Sequence, residues 1–146
     1  MERGQSLTQP GQEPLRDQTG QADGGTAGLD YDEAVFAVVA LIPSGKVLSY
    51  GDIAELLGSG GPRQVGKTMG RGGADITWWR VIRSNGTLPA ALQPIASVHW
   101  ERESTPRTAS GVSMAKARWQ PSEADHARID RVAERLPIPK RHPRMI

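Results

Sequence analysis

The chain has 146 residues, 37% of them hydrophobic, 5% aromatic and none cysteine, with a mean hydropathy of −0.47. The missing cysteine excludes disulfides, thiolate metal sites and cysteine nucleophiles, and no apolar run approaches the roughly 20 residues that span a bilayer. The net charge of +2 is uneven, since four acids against two bases give −2 before Asp30 and leave +4 for the remainder. A cationic body behind an acidic leader suits a polyanion partner. With no basic-then-apolar start, the chain is expected to be soluble and cytoplasmic, nucleoid-associated in a prokaryote.

Residues 1–28 are Gly, Gln, Thr, Asp and Ser with almost no branched aliphatics, too little to offset the entropy of ordering, and are expected to be a disordered leader. Asp30 then caps a first helix with Glu33 three places on, and Val35, Val38, Val39 and Ile42 recur on one face. Pro43-Ser44-Gly45 ends it, and Lys46-Val47-Leu48 is a turn or a short extended piece. Ser49 caps a second helix, with Asp52 in its first turn, Ile53, Leu56 and Leu57 as its stripe, and Gly58 as its stop. Pro62 opens a third, short and cationic helix through Met69. Two short helices joined by a glycine-containing turn form a helix-turn-helix pattern.

Residues 61–68 also satisfy G-x-x-x-x-G-K-[ST] letter for letter. A phosphate-cradling loop needs a buried β-strand leading into it, whereas Ile53 to Leu57 is helical in pattern with Asp52 and Glu55 polar, so the match is judged accidental.

The next informative stretch is Ile76-Thr77-Trp78-Trp79-Arg80-Val81-Ile82. Two adjacent indoles and a guanidinium suit stacking on a planar ligand, and they equally suit plugging a small core, with alternate side chains of a strand facing opposite ways. Ser84-Asn85-Gly86 is a hairpin-type turn. Leu88 to Ser97 is apolar, contains proline and is unassigned, and His99 and Trp100 open a polar stretch to Ser110 that resembles a loop. Val112, Met114 and Trp119 are expected to return to the core. Pro121 begins a last helix to Leu136, with Ile129, Val132 and Leu136 inward and Asp125, Arg128, Arg131 and Arg135 solvated. Residues 137–146 read as a basic flexible tail that could also contact phosphate.

His99, His126 and His142 share no ligand spacing, so no metal is expected. No Ser lies in a nucleophile elbow and no carboxylate pair stands out, so no catalytic residue and no cofactor is assigned. A binding geometry remains. Gly66, Thr68 and Gly70 along the third helix would let it approach a groove closely, and Arg63 at its start suits either a base stack or a phosphate contact.

Three motifs, Ile42-Pro43-Ser44-Gly45-Lys46-Val47-Leu48-Ser49-Tyr50-Gly51-Asp52-Ile53-Ala54, Arg63-Gln64-Val65-Gly66, and Trp78-Trp79-Arg80-Val81-Ile82 with the Asn85-Gly86 turn, carry a resemblance. Over residues 31–88 the chain resembles the DNA-binding domain of O6-alkylguanine-DNA alkyltransferases and, more narrowly, the alkyltransferase-like proteins. The transferases carry Pro-Cys-His-Arg-Val where this chain has Thr77-Trp78-Trp79-Arg80-Val81, so Trp78 stands for the alkyl-accepting cysteine and Trp79 for the activating histidine. Without a thiol, alkyl transfer to cysteine is impossible.

The expected fold is a mainly α, winged-helix-like helix-turn-helix DNA-binding domain over residues 30–120, with short strands and loops, followed by the extra helix over 121–136; the resemblance implies no enzymatic activity. It implies a monomer that binds duplex DNA containing O6-alkylguanine through the minor groove and flags the lesion for nucleotide excision repair proteins. Arg63 would fill the gap left by the flipped guanine and Tyr50 would press on the neighbouring phosphate, with Gln64, Gly66, Lys67 and Thr68 on the same DNA-binding helix. Met69, Trp78, Arg80 and Val81 would line the lesion pocket, joined by Trp79 unless it turns into the core. Thr77 departs from the motif proline, the transferases' pocket-closing loop is not recognisable in Thr87 to Leu92, and the chain from Pro89 onward matches nothing residue by residue. A helix-turn-helix regulator reading undamaged DNA, with both indoles in the core, is the alternative.

Overall fold

Helices begin where capping residues stand. In the computed structural model, which describes residues 28–137, Asp30 accepts a 2.8 Å bond from Glu33 N while Glu33 accepts one of 2.9 Å from Asp30 N, opening α1 (Tyr31–Val39). Ser49 and Asp52 form the same reciprocal pair at 2.9 and 3.0 Å at the start of α2 (Tyr50–Leu57), and Gly58 ends it with φ +67°. Pro62 occupies the first turn of α3 (Pro62–Gly70). Helix α2 packs against α3 to complete the helix-turn-helix, and both rest on α1. Val35, Val38, Val39, Ile53, Leu57 and Val65 meet beneath them in one apolar cluster.

The Trp-Trp-Arg stretch corrects the expectation of a strand with alternating faces. Residues Trp78–Arg80 form a 3-10 turn, and only β2 (Val81–Ile82) is extended. It pairs in parallel with β1 (Leu48–Ser49), Leu48 opposite Val81 and Ser49 opposite Ile82. The Asn85-Gly86 turn forms, with Gly86 N donating to Arg83 O at 2.9 Å, yet it closes no antiparallel hairpin because the partner of β2 is β1. Gly86 has φ +87°, and a Cβ there would lie 2.2 Å from Val112 O, in the strand-like segment whose N–H donates back to Gly86 O at 2.8 Å. Gly86→Ala is therefore expected to destabilise the fold by about 2 kcal/mol or more, read as a lowered urea midpoint; an unchanged midpoint would show that this loop yields freely.

A second correction concerns the segment left unassigned and the loop expected after it. Residues Gln93–Arg102 form a helix, α4, and Trp100, fully buried, donates its indole N–H to Trp79 O at 2.8 Å. Pro94 does not break this helix because it sits in the first turn, where an N–H has no intrahelical partner. The chain then returns to the core as expected: Val112 and Trp119 are buried and Met114 packs against the second cluster. Beyond the short helix α5 (Met114–Ala117), Val47 N donates to Ala117 O at 3.0 Å and Trp119 N to Val47 O at 2.8 Å, which ties the C-terminal third to the strand leading into α2.

The last helix, α6 (Glu123–Glu134), is capped by Ser122 with Asp125 and turns Ile129 inward, with Val132 and Leu136 half-buried on the same cluster. It packs on α1 and α2, and Leu29 N reaches Arg135 O at 2.9 Å, so both ends of the described chain join the body. The leader before residue 28 and the basic tail after residue 137 lie outside the described residues. Among the described residues the fold is mainly helical, six α-helices and one two-stranded sheet, and no helix is long and apolar enough to cross a membrane.

Candidate nucleic-acid interface

A cavity of about 400 Å3 opens between α3 and the Trp78 turn, within the roughly 300–1,000 Å3 usual for small-molecule sites. Tyr50 comes from the start of α2, Gly66, Met69 and Gly70 from α3, Trp78 and Val81 from the turn and β2, and Leu88, Pro89 and Leu92 from the segment entering α4. Tyr50, Met69, Trp78 and Val81 are thus brought together as expected. Trp78 packs by one side on the second core cluster and faces the cavity with another, so packing and lining are both its role. A Cβ at Gly66 or Gly70 would meet nothing within 4 Å, which leaves the cavity side of α3 open to an approaching molecule. Burial raises the Tyr50 phenol above its ordinary pKa, with nearby Arg83 opposing, so the phenol stays protonated at neutral pH.

Three assignments are corrected. Arg80 does not line this cavity: its guanidinium is held by Glu103, with Nη2 at 2.6 Å, and by Ile42 O at 2.9 Å from Nη1. Trp79 turns away as well, stacking on His99 with 3.6 Å between centroids and 8° between planes, while its N–H donates to Glu103 at 2.9 Å. Thr68 is fully buried and donates to Asp32 at 2.6 Å, so it holds α3 to α1 and is not presented to a ligand. That bond also removes the hydroxyl a phosphate-binding loop would require, and the element entering residues 61–68 is a helix. Arg63, Gln64 and Lys67 are exposed together on the outer side of α3, beside the cavity.

Asp32 also receives two 2.8 Å bonds from Arg71. Those bonds, then the Thr68 hydroxyl, hold its carboxyl at about 2 in place of 3.8. A depressed carboxyl stabilises the fold above its unfolded pKa and loses that contribution as pH falls through its folded one. Stability is therefore expected to decline between about pH 4 and pH 2, and Asp32→Asn should shrink that decline in urea titrations. An identical pH profile in the variant would remove Asp32 from the account.

Leu88, Pro89, Leu92, His99 and Glu103 were not anticipated. Leu-Pro and the intervening alanines carry no recognisable loop signature, and Glu103 sits in a run of polar residues with nothing local to single it out.

A family model described as the DNA-binding domain of 6-O-methylguanine DNA methyltransferase matches residues 30–104, half of the chain. A DNA base-flipping protein of Vibrio parahaemolyticus is 34% identical over 98 residues, covering 60% of this chain and 93% of the relative. One from Escherichia coli is 41% identical over 61 residues, 40% of this chain and 47% of the relative, so about half of that protein's length is spanned. Among solved structures, S. pombe Atl1 in complex with damaged DNA containing O6-carboxymethylguanine aligns with a TM-score of 0.56 at 29% identity, covering 62% of this chain and 94% of that one. The chain belongs to the family of the 6-O-methylguanine DNA methyltransferase DNA-binding domain, and within it is an alkyltransferase-like protein.

Proposed function

We propose that this protein is a non-enzymatic sensor of O6-alkylguanine in duplex DNA. It lays α3 in the minor groove, turns the damaged nucleotide out, receives the base against Trp78, and marks the site for nucleotide excision repair. The observation that carries this reading is the cavity with Trp78 on its wall, directly beside a helix face bearing Arg63, Gln64 and Lys67. Turning a base out costs a few kcal/mol and stacking on an aromatic ring returns about 1–3 kcal/mol, so a cavity with an indole wall and an arginine to occupy the vacated space makes the exchange feasible. In this reading Tyr50, which lines the cavity from the start of α2, presses on the adjoining phosphate.

Titrating the full chain into one duplex carrying guanine or O6-methylguanine at a single position, at matched salt, tests the reading. Tighter binding to the lesion is expected, whereas equal binding would favour a regulator of undamaged DNA. The sensing role also predicts no chemistry. In Trp78→Cys the adjacent residue would supply the new thiol with no proton acceptor, because the Trp79 indole nitrogen is a donor only and is bonded to Glu103, and the His99 imidazole is held in a stack on Trp79. Incubation with DNA bearing a radiolabelled O6-methyl group should leave the label on the DNA, and rapid transfer to protein would contradict this.

A further inference from the structure

The charge of the cavity follows from where Arg80 goes. With its guanidinium tied to Glu103 and Ile42 O, none of the described residues lining the cavity is ionised at neutral pH. The lining offers the Tyr50 phenol and the Trp78 indole as its polar side chains; Met69, Val81, Leu88 and Leu92 are apolar. Other sources of positive potential lie aside. Arg63 and Lys67 line the outer surface of α3, and Arg83 lines the neighbouring groove with Ser49 and Asn85. The N-terminus of α4 is close, but Leu92 N and Gln93 N both already donate to Pro89 O, and Pro94 has no N–H.

We infer that this cavity selects uncharged O6-alkyl groups and discriminates against anionic ones of the same size. The inference rests on the reading of the cavity as a lesion pocket and names its substrate class. An O6-carboxymethyl group is a carboxylate at neutral pH, and on entering it would exchange its hydration for two neutral side-chain donors, with no cation on the cavity wall to compensate and Arg83 acting only from the far side of Tyr50. An O6-isobutyl group has the same number of non-hydrogen atoms and the same branching, carries no charge, and gains by leaving water for Met69, Val81 and Leu88. The discrimination arises inside the cavity, where salt screens weakly, so it persists as ionic strength rises while overall DNA affinity falls.

Fluorescence-anisotropy titrations of the full chain with four duplexes differing only in guanine, O6-methylguanine, O6-isobutylguanine or O6-carboxymethylguanine supply the test. The isobutyl duplex should bind at least about tenfold more tightly than the carboxymethyl one, a difference of about 1.4 kcal/mol. A smaller ratio overturns the inference. If both of those lesions still bind above guanine, the sensor reading stands without it; if all four bind equally, that reading fails too. Leu92→Arg places a guanidinium at the mouth of the cavity, at a residue 37% exposed and so tolerant of the change. It should lower the isobutyl-to-carboxymethyl ratio about fivefold or more, since a close charge pair in a partly desolvated site contributes on the order of 1 kcal/mol. An unchanged ratio in a folded Leu92→Arg protein would also count against the inference.

Discussion

Glu103→Ala is expected to lower the stability of the fold by about 3 kcal/mol, a large share of the roughly 5–15 kcal/mol that holds a domain together. The carboxylate accepts from Arg80, from Trp79 at 2.9 Å and from Gly45 N at 3.0 Å, joining the end of α4 to the 3-10 turn and to the turn that precedes β1. The Arg80 and Glu103 side chains are only 17% and 11% exposed. Removing the acid would strand a nearly buried guanidinium and an indole N–H together, and an uncompensated buried charge costs far more than an exposed ion pair contributes. Burial pushes the Glu103 carboxyl up, but its three donors outweigh this and leave it below its ordinary value of 4.5. Its contribution is thus complete above about pH 4.5 and declines as pH falls through the lower folded value. Urea titration at neutral pH measures the loss. Glu103→Gln, which keeps an acceptor, should lose less than Glu103→Ala, and equal midpoints for both variants and the parent would refute a bracing role.

The same network shows what the sequence does and does not disclose. Asp30 with Glu33, Ser49 with Asp52, and Pro62 announce the first three helices because a cap is a contact between residues three apart or fewer. Tyr50, Met69, Trp78 and Val81 could be collected through the resemblance of separated motifs, and they do converge on the cavity. The side chains of Trp79 and Arg80 could not be aimed in the same way, since what turns them is Glu103, 24 and 23 residues away. Helix α4 is hidden for a different reason. Ala96 and Trp100 are buried while Ile95 and Val98 stay 53% and 51% exposed, so apolar residues occupy both faces and the period of 3.6 is blurred. With α4 unseen, neither the apolar wall from Leu88 to Leu92 nor the stacking of His99 on Trp79 could be anticipated.

Arg63→Ala is expected to weaken binding to an O6-methylguanine duplex by about 10- to 100-fold while leaving the protein folded, because filling the gap of a flipped base is worth about 1–3 kcal/mol. The side chain is exposed near the start of α3, and alanine is at least as good a helix former, so circular dichroism and the urea midpoint should not change. The sequence left two roles open for this residue, and the variant separates them. An arginine that only touches phosphate lowers affinity for damaged and undamaged duplexes by the same factor and reduces the slope of log affinity against log salt by about 1. An arginine that occupies the vacated stack is needed only once the base has left it, so its loss falls mainly on the lesion duplex and the two affinities converge. Arg63→Lys sharpens the distinction, because lysine retains the point charge but not the flat, stackable guanidinium. Equal recovery of both affinities in Arg63→Lys would assign Arg63 to phosphate; continued loss on the lesion duplex, with undamaged DNA bound as before, would place a planar group in the stack.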